Sequence, residues 1–173
     1  MSSRNSNQAN ANTNASAYSA NTRANECLDT KLFLAAQRRM YSIALGEMRD
    51  GKKTSNCVWY ISPQISGLGM SDMSKTYAIP SMKAAKEYLA HEVLGARLRE
   101  ITQAVLDWDA RHKSVKILMG STTDMEKLKS CMTLFWWASG RKEELFKEVL
   151  DKYYEGETDK ATEERLLELS AEA

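Results

Sequence analysis

The chain has 173 residues, the size of one ordinary domain or of a smaller domain with tails. Its composition is 43% hydrophobic and 27% charged, which excludes a wholly disordered protein and a membrane protein, and only 8 glycines and 2 prolines argue against an all-β fold with many tight turns. A formal net charge of +1 gives no electrostatic reason to expect nucleic acid or a lipid surface as a partner. The composition therefore predicts a globular, helix-rich protein.

The two ends of the chain differ from its body. Residues 1–25 are rich in Asn, Ser and Ala and nearly lack large apolar side chains, so they cannot bury enough surface to offset the entropy of ordering. We predict a disordered leader there. Residues 157–173 hold six acids against Lys160 and Arg165, and we predict an acidic terminal helix or tail. The helical domain is then predicted to span residues 26–156.

The first predicted helix begins at Asp29, a residue type that favours the N-cap, and runs to about Asp50. Gly51 follows, at the position where many helices end in a left-handed residue. The apolar residues between these ends recur at helical spacing, which is typical of a helix with one face in the core.

An unbroken apolar run follows at residues 57–61, and its length fits either a buried extended segment or a short helix. Residues 64–71 then form a predicted loop, in which Gly67 and Gly69 are suited to positive φ or to a close backbone approach. A long loop attached to an apolar segment is often functional.

Ser81 is the predicted N-cap of the next helix, which runs to about Ala90 or His91. The helix after it shows the strongest periodicity in the chain, with apolar residues spaced by four, three, four and three positions: Leu94, Leu98, Ile101, Val105 and Trp108. Because this pattern covers barely two heptads, it indicates a core stripe of a monomer and not a coiled-coil dimer.

The last third of the chain predicts further helices. Residues 114–120 form a short turn, and Thr123 and Glu126 have the spacing of a capping box for a helix to about Ala138. Another helix is predicted at 142–155. Together these elements predict an all-α fold: a compact single-domain bundle of five to six helices with one short extended or irregular apolar segment.

The three cysteines, Cys27, Cys57 and Cys131, are odd in number and have neither a C-x-x-C spacing nor a histidine pair that could complete a zinc site. We therefore predict free thiols in a reducing compartment, the cytoplasm, and no metal. No run reaches the ~18–20 apolar residues that a membrane span requires. The motifs G-x-G-x-x-G, Walker A, G-x-S-x-G, H-E-x-x-H and the EF-hand loop are absent, and we predict no cofactor.

The two histidines have different predicted surroundings. His91 lies at a boundary between helices, where it is predicted to bond the terminal carbonyls of the preceding helix. As a general base it would need a carboxylate or amide to orient it. His112 lies between Arg111 and Lys113 in a polar turn and is predicted to be solvated.

Several short blocks carry a family resemblance. In chain order they contain Phe33, Gln37 and Tyr41; Gly51, Lys53 and Ser55; Trp59, Tyr60, Ile61, Pro63 and Gln64; Gly67, Leu68, Gly69 and Ser71; Tyr77 and Ile79; Glu87, Tyr88, Leu89 and His91; Leu94, Gly95, Arg97 and Leu98; and Asp124, Lys127, Leu128, Ser130, Met132, Thr133, Leu134 and Phe135. Over residues 29–156 the chain resembles a widespread family of small proteins classed as a domain of unknown function (number eighteen-ten).

The resemblance implies a compact all-α fold in which these blocks converge, and it implies no established activity. Members are sometimes labelled calpastatin, but a calpain inhibitor would be mostly disordered, whereas this body is rich in helical patterns. Asn56 and Cys57 stand where family members usually have His and Trp, and Glu92 stands where they often have Pro. If that histidine is catalytic in the family, this member is impaired.

The leading functional hypothesis is a binding module whose segment from Trp59 to Ser71 forms a cleft for a small molecule or a peptide. Polar Gln64, Ser71 and Tyr77 beside an apolar run are the usual makeup of a pocket. The pair Lys52 and Lys53 is more typical of a solvated loop than of a phosphate clamp, but its position just before the aromatic run keeps Lys53 among the candidates. The full candidate pocket is Gln37, Lys53, Trp59, Gln64, Ser71, Tyr77, His91, Asp124 and Lys127.

Two alternatives belong to other functional classes. The first is a hydrolase or glycosidase acting on a nucleotide-derived substrate, because potential acid–base and polar groups cluster in the family blocks. Its candidate lining is Gln37, Gln64, His91, Asp124 and Lys127. The second is a structural or interaction protein, for which the acidic last helix and the leader are the only indications.

Overall fold

The computed structural model describes residues 27–108 and 114–171, and of Trp59 it describes the backbone only. The predicted leader and His112 lie outside the described residues. The described part of the chain forms nine helices: α1 (Thr30–Arg49), α2 (Val58–Ile61), α3 (Asp72–Thr76), α4 (Met82–Ala90), α5 (Glu92–Asp107), α6 (Val115–Met119), α7 (Thr122–Ala138), α8 (Glu144–Tyr154) and α9 (Lys160–Ala171).

The all-α class is confirmed, and the predicted count of five to six helices is too low. Six helices have nine residues or more, and α2, α3 and α6 add three of four or five residues. Helix α6 lies within the short helical turn predicted at residues 114–120, but elements of barely one turn are too short for hydrophobic periodicity to identify as helices. The apolar run at 57–61 forms one of them, α2, and is not an extended strand. Within the described residues, β-pairing is limited to an isolated parallel bridge between Ile65 and Ile79.

Two predicted helix starts are confirmed. The carboxylate of Asp29 accepts a hydrogen bond from the backbone N–H of Leu32 at 3.0 Å. The hydroxyl of Ser81 accepts one from Ala84 at 3.1 Å. Each bond satisfies a donor that the first turn of a helix leaves exposed.

The predicted capping box at Thr123 and Glu126 is wrong. The N-cap of α7 is Ser121, whose hydroxyl accepts from the backbone N–H of Asp124 at 3.0 Å. Ser121 has extended backbone angles and so can turn its hydroxyl back onto the first turn, whereas Thr123 already lies inside that turn.

Helix α7 lies at the centre of the molecule, in contact with α4, α6, α8 and α9. It is buried almost all round, as a central helix must be. Its buried residues are Lys127, Leu128, Ser130, Cys131, Met132, Thr133, Leu134, Phe135 and Ala138. The ring of Phe135 lies 5.2 Å from Tyr88 of α4 and 6.1 Å from Phe146 of α8, and these contacts join three helices.

The predicted core stripe of α5 is confirmed, since its four apolar residues from Leu94 to Val105 are buried and Trp108 is half-buried. All three cysteines are free thiols; Cys27 is exposed, and Cys57 and Cys131 are buried. Burial raises the pKa of the Cys57 thiol, which favours its protonated form. No helix in the described ranges is both long and apolar enough to cross a membrane.

Candidate functional site

A cleft with a volume of about 400 Å³ opens between the loop after α2, the first turns of α7 and the start of α9. It is lined mainly by small and polar residues: Gln64, Leu68, Gly69, Met70, Ser71, Ser74, Thr123, Glu126, Lys127, Ser130, Asp159 and Ala161. Its volume falls within the range of pockets that hold small ligands, roughly 300–1,000 Å³.

The first wall is a loop that the protein fixes at its base. The backbone N–H of Ser66 donates to the carbonyl of Ile79 at 2.9 Å, and the N–H of Ile79 donates to the carbonyl of Gln64 at 2.8 Å. These bonds bring the two ends of the loop together. Met70, in contrast, is 82% exposed at the edge of the cleft. The wall is therefore anchored at one end and open to solvent at the other.

Gly67 allows this loop to pass close to α9. Its φ of +97° belongs to the region that favours glycine, and a Cβ there would lie 2.8 Å from Nε of Arg165. The same Nε donates to the carbonyl of Ser66 at 3.0 Å. Helix α9 thus holds the loop by a direct hydrogen bond, and the sequence analysis correctly assigned Gly67 a conformational role.

The second wall is formed by α7, where Lys127 and Ser130 lie one turn apart and both line the cleft. Asp124 lies one turn earlier and joins two lysines. Its Oδ2 lies 2.6 Å from Nζ of Lys53, and its Oδ1 lies 3.3 Å from Nζ of Lys127. Lys53 and Lys127 are 8% and 9% exposed, so this is a largely buried charge cluster.

Burial lowers the pKa of Lys127 from its ordinary value, and this effect outweighs the attraction of Asp124 in the opposite direction. The positive charge of Lys53 lowers the same pKa further. Lys53, Asp124 and Lys127 together contain two ammonium groups and one carboxylate. Where the cluster meets the cleft, the carboxyl-bearing residues Glu126 and Asp159 line the cavity together with Lys127.

The third wall is the start of α9. Hydrogen bonds between side chains connect it to α7. Asp159 accepts hydrogen bonds at Oδ2 from the backbone N–H of Thr162 at 2.9 Å and from its hydroxyl at 2.6 Å. The hydroxyl oxygens of Ser130 and Thr162 lie 2.7 Å apart. Because Thr162 donates its proton to Asp159, Ser130 is the donor to Thr162.

Three of the nine sequence-predicted residues line the cleft: Gln64, Ser71 and Lys127. Lys53 and Asp124 lie next to it, since they are joined to Lys127 through the charge cluster, but they do not line it. The side chain of Trp59 lies outside what the structure describes.

Gln37 lies in the core, away from the cleft. It is 1% exposed, and its Nε2 donates to the carbonyl of Tyr60 at 2.7 Å and to the hydroxyl of Tyr88 at 2.9 Å. Its Oε1 accepts from Nη1 of Arg97 at 3.3 Å. The side chain thus joins α1 to α2, α4 and α5. Tyr77 also packs inward, with its ring 5.8 Å from Phe33 and 5.1 Å from Tyr60.

His91 caps two helices, the end of α4 and the start of α5. Its Nδ1 accepts hydrogen bonds from the backbone N–H groups of Val93 and Leu94 at 3.1 and 3.3 Å. It is therefore the N-cap of α5, while its backbone N–H donates to the carbonyls of Glu87 and Tyr88 at 3.0 and 3.2 Å, so the predicted bond to the carbonyls that end α4 is confirmed and is made by the backbone. Only one residue separates the two helices, and the extended backbone of His91 turns its ring toward the following turn.

The sequence reasoning missed several lining residues. Ser130 could have been found, because it is one helical turn from Lys127 and belongs to the same resemblance block. Ser74 lies in the short helix α3 and Thr123 in the first turn of α7, and both are ordinary polar residues. Asp159 and Ala161 lie in the acidic end, which no local pattern connects with α7. Only the packing of α9 brings them to the cleft.

The described residues include no group of three or more His, Cys, Asp or Glu side chains placed to hold a metal ion. Neither His91 nor Asp124 lines the cleft, so these two residues do not form an acid–base pair inside it. The described part of the chain is thus an all-helical protein with one candidate cleft. A loop forms one wall of this cleft, and the helices α7 and α9 form the other two.

The chain belongs to the family described as "Protein of unknown function (DUF1810)", which it matches over residues 27–166. The match includes the first residues of α9. The chain is also similar to a conserved hypothetical protein, Rv1873 from Mycobacterium tuberculosis, with 36% sequence identity and a TM-score of 0.76 over 81% of this chain and 97% of that one. No curated protein matches the sequence.

Proposed function

We propose that this protein binds a small molecule in the cleft between the loop at residues 64–71 with the start of α3, and helices α7 and α9. The observation that supports the proposal is the cleft itself, a cavity of about 400 Å³ that Gln64, Ser71 and Lys127 line. Its walls are fixed by hydrogen bonds at the base of the loop and between α7 and α9. Fixed walls reduce the entropy lost when a ligand binds.

The surface of the cleft is mostly apolar with a few polar groups, which favours a small compound with an apolar body and a few polar groups. Gln64 offers both donors and an acceptor, and Thr123 offers a hydroxyl. Leu68 and Met70 supply apolar surface on the loop. We favour a small molecule over a peptide because the cavity is bounded on three sides, whereas an extended peptide needs a groove or a free strand edge.

The remaining sequence-based expectations accompany this proposal. A cytoplasmic location, a monomeric state and the absence of a cofactor stay predictions. The hydrolase or glycosidase alternative relied on His91 and Asp124 near a common cleft. Because His91 instead caps α5, no observation favours that alternative over binding. No contact of the described residues favours a purely structural role.

The proposal can be tested by screening a library of small metabolites for compounds that raise the melting temperature of the protein. A ligand that binds the folded state raises its stability in proportion to the logarithm of its concentration above Kd. Ala161→Trp places a large side chain in the cleft from an exposed helical position. The shift caused by a true cleft ligand should disappear in this variant.

Ala96→Trp is the matched control, because Ala96 is also an exposed helical alanine but does not line the cleft. It should leave the ligand-induced shift unchanged. The proposal fails if no compound raises the melting temperature, or if every compound that does so acts equally on Ala161→Trp and on the wild-type protein.

A further inference from the structure

We infer that the small molecule carries two adjacent hydroxyl groups on an apolar body, and that one of these hydroxyls donates a hydrogen bond to Asp159. The inference rests on the proposed function, since it concerns the same cleft, and it names the chemical class of the ligand: an uncharged diol, of the kind found in a sugar ring. Its basis is the set of polar lining groups that make no hydrogen bond to other described residues.

The first step concerns Asp159, whose carboxylate is held in place but is not saturated. Its Oδ2 accepts two hydrogen bonds from Thr162, and its backbone N–H donates to the hydroxyl of Thr133 at 2.9 Å. Its other oxygen, Oδ1, has no donor among the described residues. Because an ionised carboxylate only accepts hydrogen bonds, Asp159 offers the cleft a fixed acceptor that requires a donor on the ligand.

The second step concerns the type of donor. The side chains of Gln64 and Thr123 also line the cleft, and neither is hydrogen-bonded to another described residue. An amide and a hydroxyl each donate and accept. A ligand hydroxyl can therefore donate to Asp159 and accept from one of these groups, whereas an ammonium only donates and a carboxylate only accepts. Two adjacent hydroxyls match such a mixed lining better than either charged group does.

The third step concerns charge. The lining contains the carboxylates of Glu126 and Asp159 and the ammonium of Lys127, which already pairs with Asp124. Two carboxylates in one cavity repel an anionic ligand. A cationic ligand would share the cavity with the ammonium of Lys127 and would leave the amide donors of Gln64 unpaired, which is costly in a site closed to water. An uncharged hydroxyl avoids both penalties.

The fourth step concerns the body of the ligand. Leu68, Met70 and Ala161 supply apolar surface to the cleft. The carbon ring that carries a diol has C–H groups on both of its faces, and these can pack against such surface and remove it from water. The ligand is therefore expected to be a hydroxylated ring and not an open, fully polar chain.

The test is a titration of the full chain, followed by its amide resonances, with compounds that share one cyclohexane ring. They are the cis vicinal cyclohexanediol, cyclohexanol, cyclohexylamine and cyclohexanecarboxylate. The diol should shift the amides of lining residues such as Gly69 and Thr123 in a saturable manner. Its Kd should be about tenfold lower than that of cyclohexanol, because it makes one more hydrogen bond.

Asp159→Asn changes the acceptor and keeps the helix cap, since asparagine is as good an N-cap as aspartate. The amide oxygen stays with the two donors of Thr162, so the NH₂ group takes the position of Oδ1 and replaces an acceptor by a donor. This variant should bind the diol about tenfold more weakly, the loss expected for one charge-assisted hydrogen bond. Circular dichroism verifies its fold.

Asp29→Asn is the matched control, because Asp29 caps α1 in the same way and does not line the cleft. It should bind the diol as the wild-type protein does. Gln64→Leu leaves the cap of α9 intact and should also weaken diol binding. The inference is overturned if the diol binds no more tightly than cyclohexanol, if either charged compound shifts the same amides at lower concentration than the diol, or if Asp159→Asn binds the diol with unchanged Kd.

The outcomes also separate this inference from the proposed function. If compounds without a diol occupy the cleft and are blocked by Ala161→Trp, while the diol binds no more tightly than cyclohexanol, the diol assignment is wrong and the binding function stands. If the diol shifts no cleft amide and no compound is blocked by Ala161→Trp, both fail.

Discussion

Two polar regions of this protein, the buried amide of Gln37 and the cleft at Lys127, look alike in sequence and differ in structure. Gln37 uses both its nitrogen and its oxygen on protein partners and is closed off from solvent. Lys127 is buried nearly as well, yet it lines a cavity of about 400 Å³. The side chain of Gln37 stabilises the packing of several helices, whereas Lys127 has an adjacent cavity in which a ligand can bind.

The difference shows that burial of a polar side chain does not by itself indicate a binding site. A buried polar group must find a partner, and most find it within the protein. What distinguishes a candidate site is an adjacent cavity into which a ligand atom can be placed. The following variants test whether the two regions differ in this way.

The largest effect is expected for Asp124→Ala, which removes the carboxylate that Lys53 and Lys127 share. Two largely buried ammonium groups would then lose the carboxylate between them, and the free energy of unfolding should fall by about 3 kcal/mol. Urea denaturation measures it. Arg49→Ala is the control, because the Arg49–Glu100 pair is exposed and should contribute less than about 1 kcal/mol. If Asp124→Ala and Arg49→Ala lower the free energy of unfolding by the same amount, the charge cluster does not stabilise the protein as a buried cluster should.

Gln37→Leu should have the next largest effect. It leaves the carbonyl of Tyr60 and the hydroxyl of Tyr88 without their buried donor, at a cost of about 2 kcal/mol in the free energy of unfolding. Gln64→Leu is the matched comparison and should change stability by less than about 0.5 kcal/mol, while weakening any ligand of the cleft. If Gln64→Leu proves the more destabilising variant, the assignment of the two regions is reversed.

The smallest effect is expected at Glu47, a third polar group that is engaged by the protein. Its Oε1 accepts from the hydroxyl of Thr54 and the backbone N–H of Ser55, and its Oε2 accepts from the hydroxyl of Ser55. Burial acts to raise the pKa of this carboxyl, but the hydrogen bonds outweigh it, and the pKa is lowered from its ordinary value.

A lowered pKa in the folded state means that ionised Glu47 stabilises the protein above the pKa of the unfolded chain, about 4.3, and that this contribution is lost as the pH falls through the lower folded value. Glu47→Gln should therefore flatten the fall of thermal stability below about pH 4.3. If the melting temperature of Glu47→Gln depends on pH as that of the wild-type protein does between about pH 2 and pH 7, these hydrogen bonds do not favour the ionised form of Glu47.

Much of the fold could be predicted because its determinants are local. Asp29 and Ser81 cap helices as their residue types indicate, and the apolar spacing from Leu94 onward marks a buried face. The errors have local causes too. At α7 the true cap, Ser121, lies two positions before the predicted Thr123, and both are hydroxyl residues near the same helix start. At His91 the predicted bonds to the end of α4 are present, but the backbone makes them, and the sequence did not reveal that the ring caps α5.

The candidate site was only partly predictable. Gln64 and Ser71 were found because they lie in an unusual loop, and Lys127 because it lies in a block shared with a family. Gln37 and His91 satisfied the same sequence criteria but are engaged elsewhere in the protein. Composition and spacing describe what a side chain can bond, and they do not describe which partners surround it.

The local sequence was enough to establish the helical class, the starts of several helices, the buried stripe of α5 and the need for glycine at position 67. These follow from interactions within one or two turns, where cap geometry and the 3.6-residue period apply. Only the tertiary structure decided that Ser130 of α7 meets Thr162 of α9, and that the cavity between them opens beside Lys127 and not beside Gln37. The reason is that a cavity is a property of surfaces brought together from distant parts of the chain.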